Sequence, residues 1–266
     1  MKGLERKANS SATTDPISEL HPSATSMKGQ REMQAPSTPI LGIHRFLSQQ
    51  LFYPLVLSTL LVGATWVARV YFGHTWTYAF FVWNLFLAWI PYGFSLLVAA
   101  LDTRWPGRWW LLPIPFLFWL VFFPNAPYII TDLLHLEERG GAPMWYDIGM
   151  FAIYAWTGCF LAVVSLNTMQ GITKRYIGSA GSWLFVASIV ILSGLGIYLG
   201  RFLNWNSWDL LTQPQLVLGD LVHQILHPIR YARIYGVTLM FASFLLVCYL
   251  TFVSVERRAK SLYDLK

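Results

Sequence analysis

The chain has 266 residues, of which 55% are hydrophobic and only 12% charged, and its mean hydropathy is +0.47. A soluble domain carries about 25% charged residues, so this composition excludes an ordinary water-soluble enzyme and selects the membrane class. The net charge of +6 lies mostly in tails and short loops, where it bears on topology and carries no nucleic-acid signal.

Residues 1 to about 45 are rich in Ser, Thr, Pro, Met and charge and lack hydrophobic periodicity, which predicts a disordered cytoplasmic tail. No apolar core follows the early Lys and Arg residues, so no signal peptide is expected. Met27-Lys28-Gly29 repeats Met1-Lys2-Gly3, which leaves Met1, Met27 and Met33 as candidate starts.

Six apolar segments follow, near 51–72, 78–101, 109–130, 148–168, 183–203 and 236–255. Each approaches the length of about 20 residues that crosses the hydrocarbon core. The expected fold is therefore all-α: a polytopic membrane domain of about six transmembrane helices over residues 46–256, then a short basic tail over 257–266. Pro113, Pro115, Pro124 and Pro127 interrupt the third segment. Proline removes a helix hydrogen bond and clashes with the preceding turn, so this helix is expected to be kinked or broken. The many aromatic residues, including 13 Trp, concentrate near segment ends, as expected of rings at the headgroup level.

Positive charge sets the expected orientation. Lys2, Arg6, Lys7, Lys28, Arg31, Arg45, Arg104, Arg108, Lys174, Arg175, Arg257, Arg258, Lys260 and Lys266 all fall on one side of a six-span reading. Arg69, Arg139, Arg201, Arg230 and Arg233 do not. That bias predicts both termini in the cytoplasm, with the connections after segments three and five facing outward as amphipathic interfacial helices.

The polar chemistry gathers in those two connections. Asn125 is placed to cap a helix beginning at Ala126-Pro127. On that helix Tyr128, Asp132 and His135 lie at i, i+4 and i+7, with Thr131 nearby. Asp132 and His135 are the candidate catalytic pair, as acid and base or as two metal ligands. An interfacial helix whose polar face meets water would carry the same residues. Arg201 and Asn204 sit one turn apart, and Asn206 with Asp209 three residues on suggests a capping box. Arg201 either snorkels to the interface or pairs with Asp132, Asp209 or an anionic substrate group. Asn125, Tyr128, Thr131, Arg201, Asn204, Asn206 and Asp209 are thus the candidate binding residues.

Asp220, His223 and His227 form D-x-x-H-x-x-x-H. Two histidines at i, i+4 can hold one metal ion, with Asp132 and His135 completing four ligands, but the H-E-x-x-H glutamate is missing. A polar helix face on a membrane surface explains them equally. Asn84 and Tyr92 are polar groups inside an apolar segment and predict hydrogen bonds across helices. Glu137-Glu138-Arg139 lacks the spacing of the intramembrane CAAX-type proteases. Cys159 and Cys248 lie in apolar runs, as buried small hydrophobes. No cofactor fingerprint appears.

With F-F-P-N-A-P-Y-I-I-T-D-L-L-H-L (122–136), G-R-F-L-N-W-N-S-W-D-L-L (200–211) and W-N-L-F-L-A-W-I-P-Y (83–92) in view, the chain resembles the bacterial membrane proteins grouped as domain of unknown function 1361. The likeness spans roughly residues 50 to 255. It implies a bacterial plasma-membrane location and supplies no activity or cofactor. Three functional classes stay open: an outer-leaflet enzyme, a small-solute transporter and a structural or assembly subunit. The partners expected are the lipid bilayer and a lipid-linked or small polar substrate, with no nucleic acid.

Overall fold

A computed structural model describes residues 39–137, 141–227 and 229–264. Its helices are α1 (Pro39–Gln49), α2 (Phe52–Gly73), α3 (Phe80–Arg104), α4 (Pro113–Phe122), α5 (Asn125–Tyr128), α6 (Met144–Phe202), α7 (Asp209–Thr212), α8 (Pro214–Leu226) and α9 (Ala232–Asp264). A 3-10 turn, Trp109–Leu111, precedes α4, and a 3-10 helix, Ile129–His135, continues α5. Among the described residues there is no strand. The all-α expectation holds, and five helical stretches are long and apolar enough to cross a membrane.

Two boundaries differ from the sequence reading. α1 begins at Pro39, inside the stretch expected to be disordered to residue 45, while residues 1–38 lie outside the described residues. α9 runs on to Asp264, past the boundary expected at 256.

α6 is the central element and packs most extensively on α9 and α3. Its 59 residues would span roughly 90 Å at about 1.5 Å per residue, some three times the ~30 Å hydrocarbon core. It does not run straight. Gly178 adopts φ 76° and ψ −179°, a backbone region essentially closed to any residue with a side chain. The two arms fold back alongside one another. Tyr154 on the first arm and Arg201 on the second both reach Asp132. Further along, Ser165 and Phe185 both meet Trp119. The expected segments four and five are thus these two arms. The loop expected to carry Lys174 and Arg175 between them is helix, and the reversal is concentrated at one residue.

Segment three is broken as its prolines predict. Pro113 opens α4, where its missing N–H costs nothing. Beyond Phe123 the backbone stays right-handed, but hydrogen bonding shifts, with Ala126 N–H donating to the Phe123 carbonyl. The chain then tightens into seven residues of 3-10 helix, long for that geometry. α6 grips this break closely: a Cβ on Gly158 would sit 2.6 Å from the Ala126 carbonyl oxygen. Only glycine allows that approach.

One fully buried ion pair closes the same end of the bundle. Arg69 near the end of α2 donates through Nε to Asp147 Oδ1 at 2.8 Å and through Nη2 to Oδ2 at 3.1 Å. Thr75 takes a third bond from Nη1 at 3.0 Å, and the guanidinium lies over the Tyr78 ring. At the other end, the Tyr92 hydroxyl donates at 2.9 Å to the carbonyl of Gln50, in the turn between α1 and α2, where a bond across helices was expected.

Candidate functional site

The site is built around Arg201, in the last turn of α6. Its Nε donates to Thr131 Oγ1 at 3.1 Å. Nη2 donates to Asp132 Oδ1 at 3.1 Å and to the Thr131 carbonyl. Nη1 lies 2.8 Å from His135 Nε2. A guanidinium can only donate, so Nε2 is the acceptor in this contact. The Tyr128 ring completes the enclosure, its centroid 5.2 Å from the guanidinium carbon. At three residues per turn, Tyr128 and Thr131 are eclipsed, as are Asp132 and His135, and both ridges reach the guanidinium. The α-helical spacing expected for Tyr128, Asp132 and His135 gives way to this tighter one, and all four residues still meet one cation.

Asp132 is 1% exposed, and both of its carboxylate oxygens are hydrogen-bonded. Its Oδ1 takes Arg201, and its Oδ2 takes Asn84 Nδ2 at 2.9 Å and the Tyr154 hydroxyl at 3.2 Å. A buried carboxylate survives without water only when its lone pairs are met in this way. Asn84 thus makes the bond across helices expected of it. Tyr154 carries no signal of its own in the sequence, where it is one of 13 tyrosines and sits in an apolar run. It is 0% exposed, and its ring stacks on Phe81 at 3.8 Å, which fixes the hydroxyl.

The segment after α6 closes over this cluster. Asn204 takes φ 57°, a left-handed conformation asparagine tolerates, and the Trp205 N–H returns to the Leu199 carbonyl. Asp209 does not reach Arg201. It accepts from the backbone N–H of Asn206 at 2.7 Å, which is the back-reaching half of the expected capping box. Asn125 is not a cap. Pro124 before it is already helical, and Asn125 Nδ2 donates instead to Ser207 Oγ at 2.9 Å. Ser207, unremarked in the sequence, thereby ties the two polar segments together.

The expected metal ligands do not assemble. Asp220 accepts from the Trp205 indole at 3.2 Å. His227 turns Nδ1 to the His223 carbonyl at 2.8 Å, and the His223 ring packs against His227 and Tyr231. Among the described residues no group of three or more His, Cys, Asp or Glu side chains is placed to hold a metal ion. The i, i+4 histidines serve the face of α8. Glu138 and Arg139 lie outside the described residues.

Beside the Arg201 cluster lies a cavity of about 420 Å³. Leu117, Leu120, Leu192 and Leu199 form much of its wall, and Val217 and Leu221 of α8 cover part of it. Asn84, Asn125, Tyr128, Asn206 and Ser207 supply hydrogen-bonding groups, and no formally charged side chain lines it. Ser193, 1% exposed, also lines it, and its hydroxyl has no hydrogen-bond partner among the described residues. Trp83, Leu117, Leu192 and Leu218 line the cavity while remaining about half exposed, so it opens between apolar side chains.

These features define an all-helical membrane protein with a buried polar cluster and an adjoining apolar cavity. The family described as "Protein of unknown function (DUF1361)" matches residues 83–255, so the chain belongs to that family. The matched span holds the broken third segment, both arms of α6 and the whole Arg201 cluster. No curated protein and no solved structure matches the chain.

Proposed function

We propose that this is a multi-pass protein of the bacterial plasma membrane, crossing six times with both termini cytoplasmic, that binds an amphiphilic, lipid-type molecule near the outer leaflet. The observation that carries the reading is the cavity. Leucine walls run into a cluster of uncharged hydrogen-bonding groups, and its rim is apolar where a bilayer would lie. A site that takes its ligand from the bilayer needs such a lateral opening; one that takes it from water does not. The ligand class that fits is an apolar chain with an uncharged, hydrogen-bonding head such as a hydroxyl or amide, because a charged head would find no counter-charge in the lining. Asn125, Tyr128, Asn206 and Ser207 hold the head, and Ser193 offers a hydroxyl deeper in. Asp132, His135, Thr131 and Arg201 act as positioning residues, since they are tied to one another and none of them lines the cavity.

The orientation is supported by where the positive charges lie. Arg69 and Arg201, on the proposed outer side, are paired with buried carboxylates, as Arg175 is with Asp102 on the inner side. Arg104, Arg108 and Lys174 carry no ion pair among the described residues and suit an inner surface.

The test is to purify the full chain in mild detergent and identify co-purifying amphiphiles by native mass spectrometry. One neutral-headed species at about one per protein is expected, displaced in Leu120→Trp and weakened in Tyr128→Phe and Asn125→Ala. Retention unchanged in Leu120→Trp, with that variant folded, sinks the proposal.

A further inference from the structure

The polar atoms of the cavity beside the Arg201 cluster fall at two depths. At the outer depth, Asn125 Nδ2 is engaged with Ser207 Oγ, and Asn206 Nδ2 with Asp209 Oδ2. Neither amide oxygen accepts a hydrogen bond among the described residues, and Ser207, which accepts one, keeps its own proton to donate. Two acceptors and one donor therefore meet the ligand there. A ketone, ester or ether head cannot satisfy the acceptors, because it has no proton to give. A head with several hydroxyls can.

The inner depth is Ser193. It is 1% exposed, it lines the cavity, and its hydroxyl has no partner among the described residues. A helical serine ordinarily returns its hydroxyl to a carbonyl one turn back. Ser182 and Ser188 on the same arm do so, to the carbonyls of Ser179 and Leu184, and Ser193 does not. A buried hydroxyl left unpaired is destabilising, and an acceptor on a bound ligand relieves it. Seven residues of helix separate Ser193 from Gly200, about 10 Å at 1.5 Å per residue. At Gly200 a Cβ would meet the Tyr128 ring at 3.1 Å, which places Tyr128 at the outer depth.

We infer, given that the cavity is a lipid site, that its ligand is a neutral glycolipid with ester-linked chains. Sugar hydroxyls donate to Asn125 Oδ1 and Asn206 Oδ1, and an ester carbonyl accepts from Ser193. A simple alcohol head is too short to reach both depths. A hexose set between the outermost hydroxyls and a glycerol ester spans them, and Leu117, Leu120 and Leu192 meet the chains.

The experiment is native mass spectrometry of the full-length protein equilibrated with monoglucosyl diacylglycerol, its dialkyl ether analogue and the matching diacylglycerol. The glucosyl ester is expected to be retained best. The ether keeps the sugar but lacks the carbonyl, and is held about fivefold more weakly, as the loss of one neutral hydrogen bond implies. Ser193→Ala abolishes that difference and keeps the fold, since the hydroxyl it removes has no partner among the described residues. Equal retention of ester and ether by the wild type overturns the carbonyl contact. An ester preference that survives Ser193→Ala overturns the role of Ser193, and diacylglycerol held as firmly as the glucosyl lipid overturns the sugar head. Each of these results leaves the cavity standing as a lipid site. Retention of all three lipids unchanged in folded Leu120→Trp is a different failure, which removes the lipid site and this inference with it.

Discussion

Arg201 distributes its donors over Thr131, Asp132 and His135, and Asp132 in turn answers to Asn84 and Tyr154. Removing one member of a buried pair strands the other, at a cost of about 3–5 kcal/mol. Asp132→Asn and Arg201→Gln are therefore expected to lower the melting temperature in detergent sharply, while Tyr154→Phe, which leaves Asn84 on the same oxygen, costs about 1 kcal/mol. If Asp132→Asn melts like wild type, the carboxylate is not the lock described here. The Arg69–Asp147 pair makes a companion test: Arg69→Lys cannot reproduce the two-pronged bond and is expected to destabilise nearly as much as Arg69→Gln. The sequence did show that Asp132, His135 and Arg201 were out of place in apolar surroundings. It could not show that Tyr154 or Ser207 completes the network, because both are common residue types whose partners lie 22 and 82 positions away in the chain. Asn125 misled for a local reason. Asparagine before a proline-bearing turn looks like a cap, yet a cap needs an extended backbone and this one continues a right-handed turn.

Among the elements, α6 was the least legible. Two apolar runs separated by Lys174, Arg175 and three glycines read as two helices and a loop, and hydropathy has no means of telling a loop from a reversal at one residue. The clue is Gly178 alone, and only its φ of 76° gives it meaning. Gly178→Ala is expected to cost about 1–3 kcal/mol, since the region it occupies excludes a Cβ. By contrast Gly171→Ala, where a Cβ meets open space, is expected to be neutral or slightly stabilising. Thermal melts of the two variants side by side check this, and equal melting temperatures would mean that the reversal is relaxed. The broken third segment was legible from its prolines, but its 3-10 continuation was not. Propensity distinguishes helix from strand far better than one helical pitch from another. The convergence does not hinge on that distinction, because either pitch leaves Thr131, Asp132 and His135 within reach of one guanidinium.

On the scale of the whole molecule, the two arms of α6 turn a question of length into one of topology. A single straight passage of 59 residues would leave most of the helix outside any bilayer, whereas a hairpin at Gly178 gives two arms that are each long enough to cross. If that hairpin apex is cytoplasmic, Lys174, Arg175, Arg104 and Arg108 share a compartment, and the Arg201 cluster with α7 and α8 lies across the membrane from it. The check uses a background in which the buried Cys159 and the partly buried Cys248 are replaced by alanine. Single cysteines then go at the exposed positions Thr212, Ser179 and Ser261. A membrane-impermeant maleimide on intact cells should label Thr212→Cys at once, and Ser179→Cys and Ser261→Cys only after permeabilisation. Labelling of Ser179→Cys from outside together with Thr212→Cys would put both ends of the second arm in one compartment. The arm would then lie along the surface, the cavity would have no access from the hydrocarbon, and a ligand drawn from the bilayer would have no route to it.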